Sequence, residues 1–213
     1  MTTSDLGQAL AEHFQATLHL SHVALALEWT ILTRFIVGVM VATLLSIVYL
    51  VWTLRDSQQP LHVWEKLNKP VIKLFRPKIF AFLLRGVNPY VGSIDIRIST
   101  FSKGFCTGIM RDRHKNRNPF NSIHATALAT LAETVGELAL LSTLAAKDRA
   151  ILTSLKMEFS KKARGLLTAS SDFAPPTMNE ESNEANTVVV IKDRVLDTVA
   201  VAHLVWNVKR GDQ

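Results

Sequence analysis

The feature that most restricts what this chain can become is an uncharged run from Phe35 to Leu54, FIVGVMVATLLSIVYLVWTL. Twenty helical residues at about 1.5 Å each reach about 30 Å, the thickness of a bilayer's hydrocarbon core. The run therefore reads as a transmembrane helix, with a buried core helix as the competing reading. Trp29 precedes it, Tyr49 and Trp52 close it, and Arg34 and Arg55 bracket it, as interfacial anchors do. The chain opens MTTSDLGQALAEHF, with Asp5 and Glu12 where a cleavable signal or an Arg-rich transit peptide would be basic, so the run is expected to persist as an uncleaved anchor.

After the run come Arg55, Lys66, Lys69, Lys73, Arg76, Lys78 and Arg85, against Asp56 and Glu65, whereas Arg34 is the only Lys or Arg before it. The positive-inside rule then describes a single-pass membrane protein whose C-terminal part lies on the cytosolic or an equivalent side. Leu61 to Gly86 mixes these cations with apolar residues and is interrupted by Pro70 and Pro77. Either it rests on anionic membrane lipid as a basic amphipathic connector, or it packs on the domain that follows. The expected organisation is an N-terminal segment 1–34, a membrane helix 35–54, a connecting segment 55–87 and a globular domain 88–213.

With 213 residues there is room for one domain and an appendage, and 48% hydrophobic against 20% charged residues excludes a chain disordered throughout. The net charge of +6 is spread over several segments without a zinc-finger or RNA-binding signature, so no nucleic-acid partner is expected. A membrane surface or an anionic ligand accounts for it better. Cys106 is the only cysteine, which rules out an internal disulfide and a multi-cysteine metal site within one chain.

In the globular part, SIDIRIST (Ser93 to Thr100) alternates isoleucine with polar residues, the period of a half-buried strand, and Phe105 to Arg111 returns as its hairpin partner across Ser102, Lys103 and Gly104. Ile123 to Ala146 is rich in Ala and Leu, with no proline and one glycine, Gly136, and reads as a long, mostly buried helix. Its polar exceptions, Thr126, Thr130, Glu133, Thr134 and Glu137, recur at spacings of three and four and share a stripe. Four more strands are expected, at Ile151 to Phe159, Leu166 to Ser171, Thr187 to Val195 and Thr198 to Val208, with a polar surface loop from Phe173 to Asn186 before the third of them. Two strands, one long helix and four strands make an α+β class in which an antiparallel sheet wraps its single helix.

The chemistry concentrates in NPFNSIHATALATLAE, Asn118 to Glu133, where an amide, a histidine and a carboxylate surround the start of the long helix. Helix starts carry unpaired N–H groups and the positive end of the dipole, so they suit a carbonyl oxygen that becomes negative during reaction. His124 stands at that start; Glu133 lies two and a half turns on, where burial would raise its pKa toward that of a useful general base.

Asn118, His124 and Glu133 resemble in type and spacing the motif of hotdog thioesterases: Asn, five residues, His, eight residues, Asp or Glu. Trp64, NPYVGSIDIRI and FSKKARG add a wider resemblance, across residues 64 to 210, to an uncharacterised thioesterase-like branch of that superfamily. The resemblance implies a hotdog fold, a homodimer or dimer of dimers with the active site between subunits, and metal-free hydrolysis of acyl-CoA or a related thioester. Coenzyme A then enters as part of the substrate and not as a cofactor. It implies that Glu133 is the nucleophile or the base that activates water, that Asn118 orients water or substrate, and that His124 and the N–H of Ala125 hold the thioester carbonyl. Ser122 and Thr126 flank the same substrate region. The motif usually has two glycines after the histidine, and this chain has Ala125 and Thr126, which motivates the alternative of a non-catalytic hotdog module binding acyl chains or a protein partner at a membrane.

Lys161, Lys162 and Arg164, with Arg111, Arg113, Lys115 and Arg117, either attract the phosphates of coenzyme A or are solvated loop charge. Glu137 reads as solvated, Cys106 as a core residue, and His203 and Trp206 as residues on opposite faces of the last strand.

Overall fold

The computed structural model describes residues 3–26, 30–54, 59–70, 72–174 and 183–211. Trp29 and Arg55, expected as anchors, and Pro175, Pro176, Glu180 and Glu181 of the expected loop lie outside the described residues. The chain forms two compact units, Met1–Trp52 and Thr53–Gln213.

The first unit holds α1 (Thr3–Ala26) and α2 (Ile31–Leu54). The stretch Ile31–Tyr49 of α2, with a mean hydropathy of 2.3, is long and apolar enough to cross a membrane, and the chain buries none of it. The helix begins four residues before the uncharged run and carries Arg34 in its first turn.

In the second unit, α3 (Pro60–Lys66), α4 (Arg76–Val87) and α5 (Pro89–Ser93) lead into β1 (Arg97–Ser102) and β2 (Phe105–Arg111); α6 (Ala125–Leu141) follows, then β3 (Arg149–Phe159), β4 (Leu166–Asp172), β5 (Glu184–Lys192) and β6 (Thr198–Lys209). The strands form one antiparallel sheet in the order β1-β2-β4-β5-β6-β3, wrapped on α6 in the hotdog arrangement. Small residues let helix and sheet approach: a Cβ added at Gly108 would sit 2.7 Å from Val135 Cγ2, and one at Gly136 would sit 3.0 Å from Thr187 Oγ1. Across β5 and β6, the indole N–H of buried Trp206 donates to Thr187 Oγ1 at 2.8 Å, which satisfies two polar groups inside the core. His203, three residues before Trp206 and so on the opposite face of β6, is exposed.

Three elements of this unit differ from the sequence expectation by three residues or more at an end. The first strand starts at Arg97 and not Ser93, because Asn88 caps α5 by accepting from the N–H of Val91 (3.3 Å), Pro89 opens that helix, and Asp95 takes a left-handed φ of 57°. Ile94, Ile96 and Ile98 are nevertheless all buried. The long helix runs from Ala125 and not Ile123, since Ile123 is held extended by a bridge to Arg117, and it ends at Leu141, where the Ser142 hydroxyl bonds Ala139 O (2.6 Å) and receives Gly104 N–H (2.7 Å). β5 stops at Lys192 because Asp193 Oδ1 accepts from the N–H groups of Val195 and Asp197, both at 3.0 Å, and closes a turn; at its other end the strand takes in Glu184 to Asn186 of the expected loop.

The connecting segment packs on the sheet. Leu61, Trp64, Leu67 and Phe80 are buried, and Trp64, Phe80 and Phe101 of β1 form a ring cluster with centroids 5.2 to 6.3 Å apart. Pro77 opens α4 instead of interrupting it.

Candidate functional site

The site is assembled by the loop between β2 and α6. Asn118 Oδ1 accepts from Phe120 N (3.0 Å), Ser122 N (3.2 Å) and Ser122 Oγ (3.1 Å), while Asn118 N donates to Ser122 O (2.8 Å). The side-chain carbonyl of Asn118 is thus consumed in shaping the loop, and its Nδ2 is the group left to meet water or substrate. Ser122, expected beside substrate, is turned inward and buried, so it supports Asn118.

Two attachments fix the helix start. His124 N donates to Asn116 O (2.8 Å), and Ile123 N donates to Ala163 O (2.9 Å). Asn116 is itself buried, accepting from Arg113 N (2.8 Å) and donating to Arg111 O (2.9 Å). Sequence reasoning missed Asn116, and nothing in the polar run RDRHKNRN distinguishes it from its neighbours.

His124 is the N-cap of α6, its Nδ1 accepting from Thr126 N at 3.2 Å with Thr126 Oγ1 2.8 Å away. An Nδ1 that accepts leaves the ring proton on Nε2, a donor on an exposed side chain. Thr126, expected at substrate, is the partner that sets this tautomer. Ala125 is exposed and its N–H has no partner among the described residues, so one unpaired amide and one imidazole N–H stand together at the positive end of α6.

Glu133 is half-buried; it shares the outer stripe of α6 with Thr126 and Glu137. Nine residues of helix place it about 13 Å along the axis from His124. Glu137, expected to be solvated, is half-buried, and its carboxyl is pushed up first by burial and then by the neighbouring Glu133 charge. Glu137 lies in a cavity of about 770 Å³ that it lines with Gln59, Pro60, Leu141, Ala150 and Ile151. A carboxylate with a raised pKa takes stability from the fold as pH climbs from its ordinary value through the raised one. Glu137→Gln is therefore expected to raise Tm at neutral pH, with the gain vanishing below about pH 4.5; equal gains at both pH values would contradict this.

The cations divide. Lys161 Nζ is paired with Asp193 (2.5 Å) and Asp197 (2.7 Å), Arg113 with Asp95 (2.5 Å) and Arg117 with Asp112 (2.6 Å), so these three are engaged by carboxylates of the chain. Lys162 and Arg164 flank Ala163, the residue bonded to Ile123; with Arg111 and Lys115 they have no ion-pair partner among the described residues. Cys106 is fully buried, its thiol pushed up by burial, as suits a core residue. Among the described residues no cluster of His, Cys, Asp and Glu could hold a metal ion.

Known structures share this fold. The Pseudomonas aeruginosa protein PA5026, a protein of unknown function described as a probable thioesterase, is 20% identical over 64% of this chain and 97% of its own, with a TM-score of 0.56. Haemophilus influenzae thioesterase HI1161 is 22% identical over 60% of this chain and 88% of its own, with a TM-score of 0.53. The E. coli PaaI protein from the phenylacetic acid degradation operon is 19% identical over 62% and 91%, also at 0.53. At these identities the likeness establishes the fold. No curated protein matches. Residues 76–208 match one family model, from the middle of the connecting segment to the last strand, and the chain belongs to that family, the domain of unknown function DUF4442.

Proposed function

We propose that this chain is an acyl-thioester hydrolase acting on acyl-CoA, anchored by Ile31–Tyr49 with its hotdog unit on the cytosolic or equivalent side, and working as a homodimer. The observation that carries the reading is the start of α6: an unpaired Ala125 N–H beside a His124 Nε2–H, the pair of donors a thioester oxyanion needs. Glu133 takes a proton from water as the water oxygen attacks the thioester carbon. The C–S bond then breaks, and the departing thiolate receives that proton, leaving a free acid and coenzyme A. Lys162 and Arg164 suit the phosphates, and the cavity beside Glu137 is of a size for an acyl chain.

The axial distance bears on assembly. A general base must come within about 3 Å of the proton it takes, directly or through one water, yet Glu133 stands about 13 Å along α6 from His124. A site formed between two copies resolves this, with His124 from one and Glu133 from the other. β3 supplies the surface: it ends the sheet, none of its 11 residues is buried, and Ile151 and Phe159 are half-exposed apolar residues on it. A long edge strand offers unpaired backbone groups along its free side, and exposed apolar side chains on it favour pairing with a second copy. Replacing Ile151 and Phe159 by Lys is expected to weaken the dimer about tenfold or more and to lower hydrolysis in step, read by sedimentation and turnover together; a stable, active dimer would refute pairing through β3.

The reading itself is tested by free coenzyme A release from short, medium and long acyl-CoAs by the full chain in mild detergent. Release identifies the enzyme and its chain-length preference. Folded, dimeric protein that releases none is a binding module, the outcome that Ala125 and Thr126 in place of glycines would then explain.

A further inference from the structure

The face of the connecting segment turned away from the sheet has the wrong character for a soluble surface. Phe75, Lys78, Phe82 and Arg85, spaced three, four and three apart, share one side of α4 and its N-cap, while Phe80 points the other way into the ring cluster. Leu74 is 80% and Phe82 75% exposed, with Phe75 at 49%. Single exposed apolar residues are ordinary, but these are clustered and interleaved with exposed Lys73, Lys78 and Arg85, none of which has an ion-pair partner among the described residues. Between Lys78, Phe82, Arg85 and Arg97 opens a notch of about 180 Å³, its one carboxylate, Asp95, already bound by Arg97 (3.3 Å) and Arg113 (2.5 Å).

We propose that this face is an interfacial lipid-binding surface, seating its apolar side chains among the acyl chains and its cations among the phosphates of an anionic bilayer. Two things point to a bilayer as the occupant. The first is charge: from Lys66 through Ile94 there are six Lys and Arg and no Asp or Glu, the balance that anionic headgroups attract. Protein interfaces are instead depleted in Lys, whose long stem suits a headgroup layer. The second is reach, which rests on the proposed crossing by Ile31–Tyr49: only five residue steps separate Leu54 at the end of α2 from Gln59, at most about 18 Å of extended chain, so an anchored chain cannot carry this segment far from lipid. The surface holds the catalytic unit in a set orientation over the bilayer, where long-chain substrates partition.

The test uses the full chain with Phe82→Cys, on the outward side of α4, carrying an environment-sensitive fluorophore; Cys106, fully buried, leaves the new thiol as the one labelled. It is mixed with vesicles of phosphatidylcholine alone or with phosphatidylserine added, floated, and its emission read. The expected result is a blue shift with phosphatidylserine, with the affinity of the face for that lipid falling by about fivefold or more for each cation reversed among Lys73→Glu, Lys78→Glu and Arg85→Glu. Chain that floats with both vesicles while the fluorophore stays aqueous overturns the surface and leaves the anchor intact. A shift that follows protein density instead of phosphatidylserine assigns the face to a second copy and overturns the proposal. Chain that floats with neither overturns surface and anchor together.

Discussion

Glu133→Gln is expected to lower acyl-CoA hydrolysis by about 10³-fold, within the 10²- to 10⁴-fold range of a positioned general base, while leaving Tm nearly unchanged. The substitution keeps the shape of a half-buried side chain, so little packing is lost. The stronger test is mixing. If each site takes His124 from one copy and Glu133 from the other, a dimer of one Glu133→Gln chain and one His124→Ala chain has one site with both residues native and one with neither. Random pairing of the two chains then recovers about one quarter of native turnover from two nearly inactive proteins, as two-fold symmetry requires. Absence of recovery in chains shown to exchange would place both residues of a site in one chain and refute the shared site. Retained turnover in folded Glu133→Gln would remove Glu133 from the mechanism altogether.

The parts of this molecule legible from sequence are those written in short-range patterns. The strands from Phe105 and from Leu166 were located to within one residue, because alternation on a half-buried strand is a local property. The first strand misled for an equally physical reason: Ile94, Ile96 and Ile98 are buried as alternation demands, but the left-handed Asp95 makes that burial without sheet pairing until Arg97. The site split along the same line. That His124 starts the long helix follows from its place before an Ala- and Leu-rich run, whereas the inward turn of Ser122, the grip of Asp193 and Asp197 on Lys161 and the support given by Asn116 depend on loops meeting far apart in sequence. Glu133 and Glu137 show the limit most plainly. Both lie on one stripe, yet Glu137 lines a cavity with Gln59, Pro60 and the residues from Ala145 to Ile151, a meeting of distant segments that periodicity on α6 does not report.

A chain beginning at Asn88 is expected not to fold stably, although every strand and the whole of α6 lie beyond that point. The reason is the covering of β1. Trp64, Leu67 and Phe80 are each at most 3% exposed, and Trp64 and Phe80 close over Phe101 with the Arg76 guanidinium 3.8 Å above the Trp64 ring. Burying a side chain of this kind contributes about 1.5 to 3 kcal/mol, so losing three removes about 5 to 9 kcal/mol before the newly exposed Phe101 and Ile98 are counted. That equals much of the roughly 5 to 15 kcal/mol that holds a domain together. The match to the family model begins at residue 76, inside α4, which keeps Phe80 but leaves out Trp64 and Leu67. Point variants separate the two faces of the segment without truncation. Leu67→Ala, at a fully buried site, is expected to cost about 2 to 5 kcal/mol in denaturant unfolding; Phe82→Ala, on the outward face, is expected to stay within about 0.5 kcal/mol. Equal, small effects at both positions, or a cooperative transition at unchanged denaturant midpoint in the chain from Asn88, would show that the connecting segment is an appendage and that the sheet closes without it.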